Sequence, residues 1–154
     1  MARPRLARGG AGGPSLGPVL DFIRLLWEVD HGLNSRSKRM RLRFGVTGPQ
    51  RFAVRIVSRF PGISAGELAA LLHVHPSTLT GVLDRLVRRG LLSRRPDPRD
   101  ARRALLWPTA SGRRLDRLRG GTIEASVRAA LGRLAPARLA AARAALETLA
   151  GALG

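Results

Sequence analysis

The chain has no cysteine. That excludes disulfides, thiolate metal centres and thiol-based redox sensing. Acidic residues are scarce as well. Against 28 Lys and Arg stand only 10 Asp and Glu in 154 residues, a formal net charge of +18. So one-sided a charge asks for a polyanionic partner; nucleic acid leads, and an anionic membrane surface or ribosomal RNA would also serve. No apolar run reaches the length of a transmembrane helix, so no membrane span is expected, and nucleic acid rather than a membrane is the expected partner. Catalytic signatures are missing too. There is no Walker-type phosphate loop, no pair of carboxylates on a shared helix face and no nucleophile motif, so the chain reads as a non-enzyme without a cofactor. The three histidines are His31, His73 and His75. His73-x-His75 has no cysteine to help it and few acids nearby, so a turn beside a phosphate backbone is a simpler account than a metal site.

What is present suffices for one domain with a core: 44% of the residues are hydrophobic, enough to rule out general disorder. Residues 1–18 carry Arg3, Arg5 and Arg8 among glycines and prolines. Without an apolar centre this is expected to be a disordered basic tail rather than a secretory signal. From Val19 to Leu33, Leu20, Ile23 and Trp27 suggest a helix burying more than one face. The run Arg36 to Arg43 then adds five positive charges and no acid. Thr47-Gly48-Pro49-Gln50 starts another helix by capping-box logic, Thr first and Gln three later. Phe52, Ala53, Ile56, Val57 and Phe60 should be its buried face. Pro61-Gly62 ends it, and Ile63 can form a short strand.

The stretch from Ser64 to Thr109 reads helix, tight turn, helix, basic hairpin. Ser64-Ala65-Gly66-Glu67 is a second capping box. His73-Val74-His75 is the turn, and Pro76 suits the first position of the next helix. That helix, about Pro76 to Arg89, has an apolar stripe of Leu79, Val82, Leu83, Leu86 and Val87. Opposite lie Ser77, Gly81, Asp84, Arg85 and Arg88, with Thr78 and Thr80 at the borders. Short side chains let a helix N-terminus approach base edges, and arginines further along can meet phosphate. Asp84 is expected to pair with Arg88 one turn on. Gly90 ends the helix. Leu91 to Arg95, a turn over Pro96 to Asp100, and Arg102 to Trp107 form the hairpin; Pro108 should end its second strand at Trp107. Six arginines sit on or beside it: Arg89, Arg94, Arg95, Arg99, Arg102 and Arg103. A narrow minor groove attracts such side chains. Thr109 then caps a helix expected to run to about Leu134, kinked at Gly120-Gly121. After Ala135-Pro136 a last helix carries Leu139, Ala142, Leu146, Leu149 and Leu153 as a seam near period 3.5. The seam is expected to pack on the first helix and on a second subunit.

The order Thr78, Asp84-Arg85-Leu86, Gly90-Leu91, Arg94, Asp97-Pro98, Asp100-x-Arg102, Thr109 and Gly112 resembles the MarR family of transcription regulators (multiple antibiotic resistance type). Its hallmark is D-x-R, five residues, then L-T; Asp100-Ala101-Arg102 followed by Pro108-Thr109 matches with Pro in place of Leu. The resemblance spans roughly residues 19 to 150. It implies a mainly α fold with a small β-hairpin wing. A single domain would cover 19–154, with a winged helix-turn-helix at about 47–109 and dimerisation helices at about 19–36 and 110–154. By that resemblance Arg102 reaches the minor groove and Asp100 organises the wing. Arg99 joins Arg102 there and Arg94 contacts DNA. Ser77, Thr78, Thr80, Gly81 and Arg85 face the major groove, and Arg88 meets phosphate. Two such helices in a homodimer, about 34 Å apart, would read an inverted repeat.

The resemblance further implies a cytoplasmic repressor whose cleft takes a small aromatic or anionic effector, with Trp27, His31, Met40 and Phe52 as lining candidates by position. The alternative is a nonspecific nucleic-acid-binding protein, nucleoid- or ribosome-associated. It shares the charge and the tail, but predicts neither a segregated hydroxyl face nor the D-x-R wing. An interaction module that kept the fold and lost DNA would not need so many wing arginines.

Overall fold

A computed structural model describes residues 16–153. The expected basic tail lies, over residues 1–15, outside the described residues. At Pro18 a helix has already begun. This helix, α1 (Pro18–Phe44), is longer than its apolar pattern suggested. The basic run does not follow it but forms its last turns. No breaker separates Leu33 from Arg36, and arginines near a helix C-terminus meet the negative end of the dipole. Gly45, at φ 72°, closes the helix by donating its N–H to the Arg41 carbonyl at 2.9 Å.

Helix α2 (Gly48–Arg59) starts from Thr47 with both bonds of the capping box made. Its buried face is not quite the expected one. Ala53, Val54 and Val57 enter the core, whereas Phe52 and Phe60 are each 51% exposed. The helix is turned so that Arg51, not Phe52, points inward. Strand β1 (Ile63–Ser64) leads into α3 (Ala65–Leu72), again through a complete capping box between Ser64 and Glu67. His73, in the left-handed region at φ 50°, turns the chain toward α4 (Pro76–Arg88). Strands β2 (Leu92–Asp97) and β3 (Asp100–Pro108) form the hairpin. The sheet is antiparallel in the order β1-β3-β2, with Ile63 opposite Leu106. Strand β3 continues one residue past its expected end: Pro108 stands opposite Leu92. As the last residue of the strand it can lack an N–H without breaking the ladder.

The helix expected from Thr109 to Leu134 is two helices, α5 (Ala110–Arg117) and α6 (Ile123–Leu131). Residues 118–122 separate them. Gly121 adopts φ 71°, which only glycine takes readily, so the expected kink is a full break. Helix α7 (Pro136–Leu153) follows and buries no residue. Within one chain its leucine seam is therefore not packed against α1 as expected. Leu68, Leu83, Leu86, Leu92, Leu106, Val46, Val54 and Val57 fill the core beneath the hairpin. Among the described residues no helix is long and apolar enough to cross a membrane.

Candidate nucleic-acid interface

Helix α4 is seated by Leu79, Leu83 and Leu86, all buried. Helical geometry then turns Ser77, Thr78, Thr80, Gly81, Arg85 and Arg88 outward, and all six are exposed. His75 caps the helix, its Nδ1 accepting from the Ser77 N–H at 3.3 Å and lying 2.7 Å from the Ser77 hydroxyl. Thr80 Oγ1 donates back to the Pro76 carbonyl at 3.0 Å, leaving its lone pairs free to accept. A Cβ at Gly81 would meet nothing within 4 Å. Nothing inside the chain therefore calls for glycine there, although it weakens a helix by about 1 kcal/mol relative to Ala. The bare backbone instead allows close approach from outside.

The hairpin stands beside this face. At its tip Asp97 accepts from the Arg99 N–H at 2.9 Å. Asp100 accepts from the Arg102 N–H at 3.0 Å and from Arg102 Nε at 3.2 Å. The carboxylate thus grips the root of an arginine whose side chain is still 92% exposed. Arg99 is exposed next to it.

Other arginines have partners within the chain. Asp84 does not pair with Arg88; it accepts from Arg94 Nη2 across the strand–helix gap at 2.8 Å. Arg94, expected at DNA, is thereby tied to the recognition helix, because the hairpin brings it closer to Asp84 than the next helical turn brings Arg88. Arg95 lies over the Trp107 ring, 5.1 Å from its centroid. Arg89 donates to the Gly45 carbonyl, tying the end of α4 to the end of α1. Near Arg103, the Glu67 carboxyl is held below its usual range, chiefly by hydrogen bonds from the Ser64 hydroxyl and N–H and less by the arginine's charge.

The four residues proposed for a ligand cleft are not brought together. Trp27 is 73% exposed, His31 is exposed and Met40 is in the interior. Phe52 does line an open cleft of about 510 Å³, with Arg55, Ile56, Ser58, Arg59, Phe60 and Asp116. Among the described residues no cluster of three or more His, Asp or Glu could hold a metal.

Sequence reasoning missed Arg51. Its side chain is 0% exposed, in a helix where Arg51, Arg55 and Arg59 recur at every fourth position and nothing local singles out the first. Its partners lie more than 60 positions away, so no local signal could have found them.

The MarR family model matches residues 46–104, from the loop before α2 to the middle of β3. The transcriptional regulator HosA of Escherichia coli O111:H- is 36% identical over 70 residues, 46% of this chain and 52% of HosA. The transcriptional activatory protein BadR of Rhodopseudomonas palustris is 31% identical over 116 residues, 73% of this chain and 66% of BadR. The chain thus spans about half the length of HosA and about two thirds of BadR. Among solved structures, the PcaV transcriptional regulator of Streptomyces coelicolor superposes with TM-score 0.74 at 25% identity, covering 92% of this chain and 100% of PcaV. The capped α3, the exposed hydroxyl face of α4 and the Asp100–Arg102 wing all fall within the matched segment, and the chain belongs to the MarR family.

Proposed function

We propose that the protein is a sequence-specific, double-stranded-DNA-binding transcriptional regulator acting as a homodimer. The observation that carries this is the pairing of two exposed devices on one lobe. One is the Ser77, Thr78, Thr80, Gly81 and Arg85 face of α4; the other is Arg102, rooted by Asp100 at 3.0 and 3.2 Å. The first suits a major groove and the second a minor groove, with Arg99 beside it and Arg88 on phosphate. HosA, named a transcriptional regulator, and BadR, named a transcriptional activatory protein, support a use in transcription.

Dimerisation is supported by what a single chain leaves uncovered. Val19, Leu20, Phe22, Leu25, Trp27 and Val29 of α1 are exposed, as are Leu139, Leu146 and Leu153 of α7. So many large apolar side chains left exposed on two helices suit burial against a second copy. A dimer on promoter DNA represses by occupying it. The Phe52 cleft offers apolar rings, Arg55 and Arg59, and the buried, unpartnered Ser58 Oγ, features that suit a small aromatic or anionic effector. PcaV was solved with its natural ligand. Such a regulator works in the cytoplasm and needs no catalysis. The competing reading, nonspecific nucleic-acid binding, draws on the net charge of +18.

Selection from a random duplex library by the purified protein tests the proposal. Enrichment of an inverted repeat with half-sites about one helical turn apart is expected. Arg102→Ala should bind that duplex more weakly by about 1–3 kcal/mol with fold and dimer intact. Enrichment of no sequence would contradict the proposal.

A further inference from the structure

Arg51 rises from α2, inside the DNA-binding lobe, and ends at the break between α5 and α6. Its Nε donates to the Glu124 carboxylate at 3.1 and 3.3 Å. Its two Nη atoms donate to the carbonyls of Leu115, Asp116 and Leu118, the last at 2.8 Å. Leu115 and Asp116 lie in the last turn of α5, whose carbonyls lack the usual helical partner, and Leu118 is its C-cap; the Leu115 carbonyl also accepts from the Leu118 N–H at 3.2 Å and the Asp116 carbonyl from Arg119 at 2.9 Å. Glu124 sits in the first turn of α6, where the dipole favours a carboxylate. One planar guanidinium therefore holds the end of one helix and the start of the next, which the single ammonium of lysine could not do. One turn along α2, Arg55 repeats the pattern more loosely, 3.6 Å from Asp116 and 3.7 Å from Glu124.

Beyond the clamp, α6 packs on α1 and meets the lobe through few other contacts. The helix itself buries no residue. Ile123 reaches Gly48, where a Cβ would overlap its Cδ1, and Thr122 is buried at the break. Apolar contacts there slide easily; a forked ion pair between a buried guanidinium and a partly buried carboxylate does not. We propose that Arg51 is a positioning residue. Through Glu124 it fixes the angle between the DNA-binding lobe and the α6–α7 arm, and so the spacing of the two recognition helices in the dimer. The role in spacing rests on the homodimeric DNA-binding function proposed above; the role in the angle does not.

The absence of native cysteine makes the angle measurable. Spin labels at Ser77→Cys on α4 and Arg128→Cys on α6, in doubly labelled chains diluted with unlabelled protein, report one intrachain distance by pulsed electron resonance. The intact clamp should give a narrow distribution. Glu124→Ala should broaden or shift it while the lobe keeps its helical content, and Glu124→Gln, which retains an acceptor for Nε, should narrow it again. Arg51→Met should broaden it further; where that variant fails to fold, Glu124→Ala carries the test. A thermal midpoint lowered by Glu124→Ala with the distance distribution unchanged would make the clamp merely structural and overturn the proposal. This readout needs neither DNA nor a second subunit, so a failure of the regulator proposal leaves it intact. With a selected inverted repeat in hand, Glu124→Ala should lose about tenfold in affinity for the repeat, within the usual range of coupling between sites. Its affinity for a single half-site duplex should not change. Equal losses on both duplexes would contradict the spacing role.

Discussion

Asp84 and Arg94 join the recognition helix to the wing: the Asp84 Oδ1 lies 2.8 Å from Arg94 Nη2. Both side chains are more than a third exposed, so the pair adds little to stability, about 0–1 kcal/mol. Its effect is geometric and electrostatic. It ties the base of β2 to α4, and it neutralises an acid on the exposed side of α4.

The two partners should therefore behave oppositely when removed. Asp84→Ala frees a cation at the interface. Its DNA binding should become more salt-dependent, with the log–log slope steeper by about one unit, and less selective among sequences. Arg94→Ala leaves an unpaired acid beside phosphate and should weaken binding to every duplex. Anisotropy titrations over a salt series distinguish the two; identical behaviour would show that the pair has no role at DNA.

Gly112 is where α5 passes under the hairpin. A Cβ there would overlap the Leu91 carbonyl oxygen, which is itself held by the Thr109 N–H and hydroxyl, each at 3.2 Å. Because backbone meets backbone, neither side can give cheaply. Gly112→Ala should destabilise the fold by about 1–3 kcal/mol, the usual cost of overpacking. Gly81→Ala meets open space and should stabilise α4 by up to about 1 kcal/mol. Urea unfolding of the two variants checks both signs.

Glu67 gives the chain a defined acid response. Hydrogen bonds from Ser64 hold its carboxyl below the usual range. A carboxylate lowered on folding contributes stability that is fully present above its unfolded value and is lost as pH falls through its folded value. The stability difference between the native chain and Glu67→Gln should therefore be constant near neutral pH and shrink below the ordinary carboxylate range. Denaturant unfolding at several pH values reads this directly; a difference independent of pH would contradict it.

The residues explain how much of this was legible in advance. Both capping boxes lie within four residues, and the amphipathic stripe of α4 lies within one helix, so the sequence carried them plainly. The wing was legible because its turn chemistry and its D-x-R spacing are local. The inward turn of α2 was not, because Phe52 and Phe60 look like core residues until Arg51 finds its carbonyls in another helix. Asp84 had two arginines within reach, and only the register of the hairpin decides for Arg94. The break after Arg117 showed as a glycine pair, but its depth depends on a side chain from α2 accepting the task of capping α5.

Leu146 of α7 is 57% exposed and Trp27 of α1 is 73% exposed, and neither has a reason to be apolar within one chain. If these faces form the dimer, Leu146→Glu should place a charge in the interface and shift the protein toward monomer. Sedimentation at micromolar concentration should show the shift, with helical content retained. A variant that still sediments as a dimer would remove α7 from the interface.

The most direct measurement is fluorescence anisotropy of the purified protein on a selected inverted-repeat duplex and on a scrambled duplex of the same composition, from low to physiological salt. Phosphate contacts alone fade steeply as counterions compete, whereas base and groove contacts keep the two duplexes apart. A preference of about a thousandfold or more surviving at physiological salt is the predicted result. Equal binding to both duplexes that vanishes together with rising salt would contradict it.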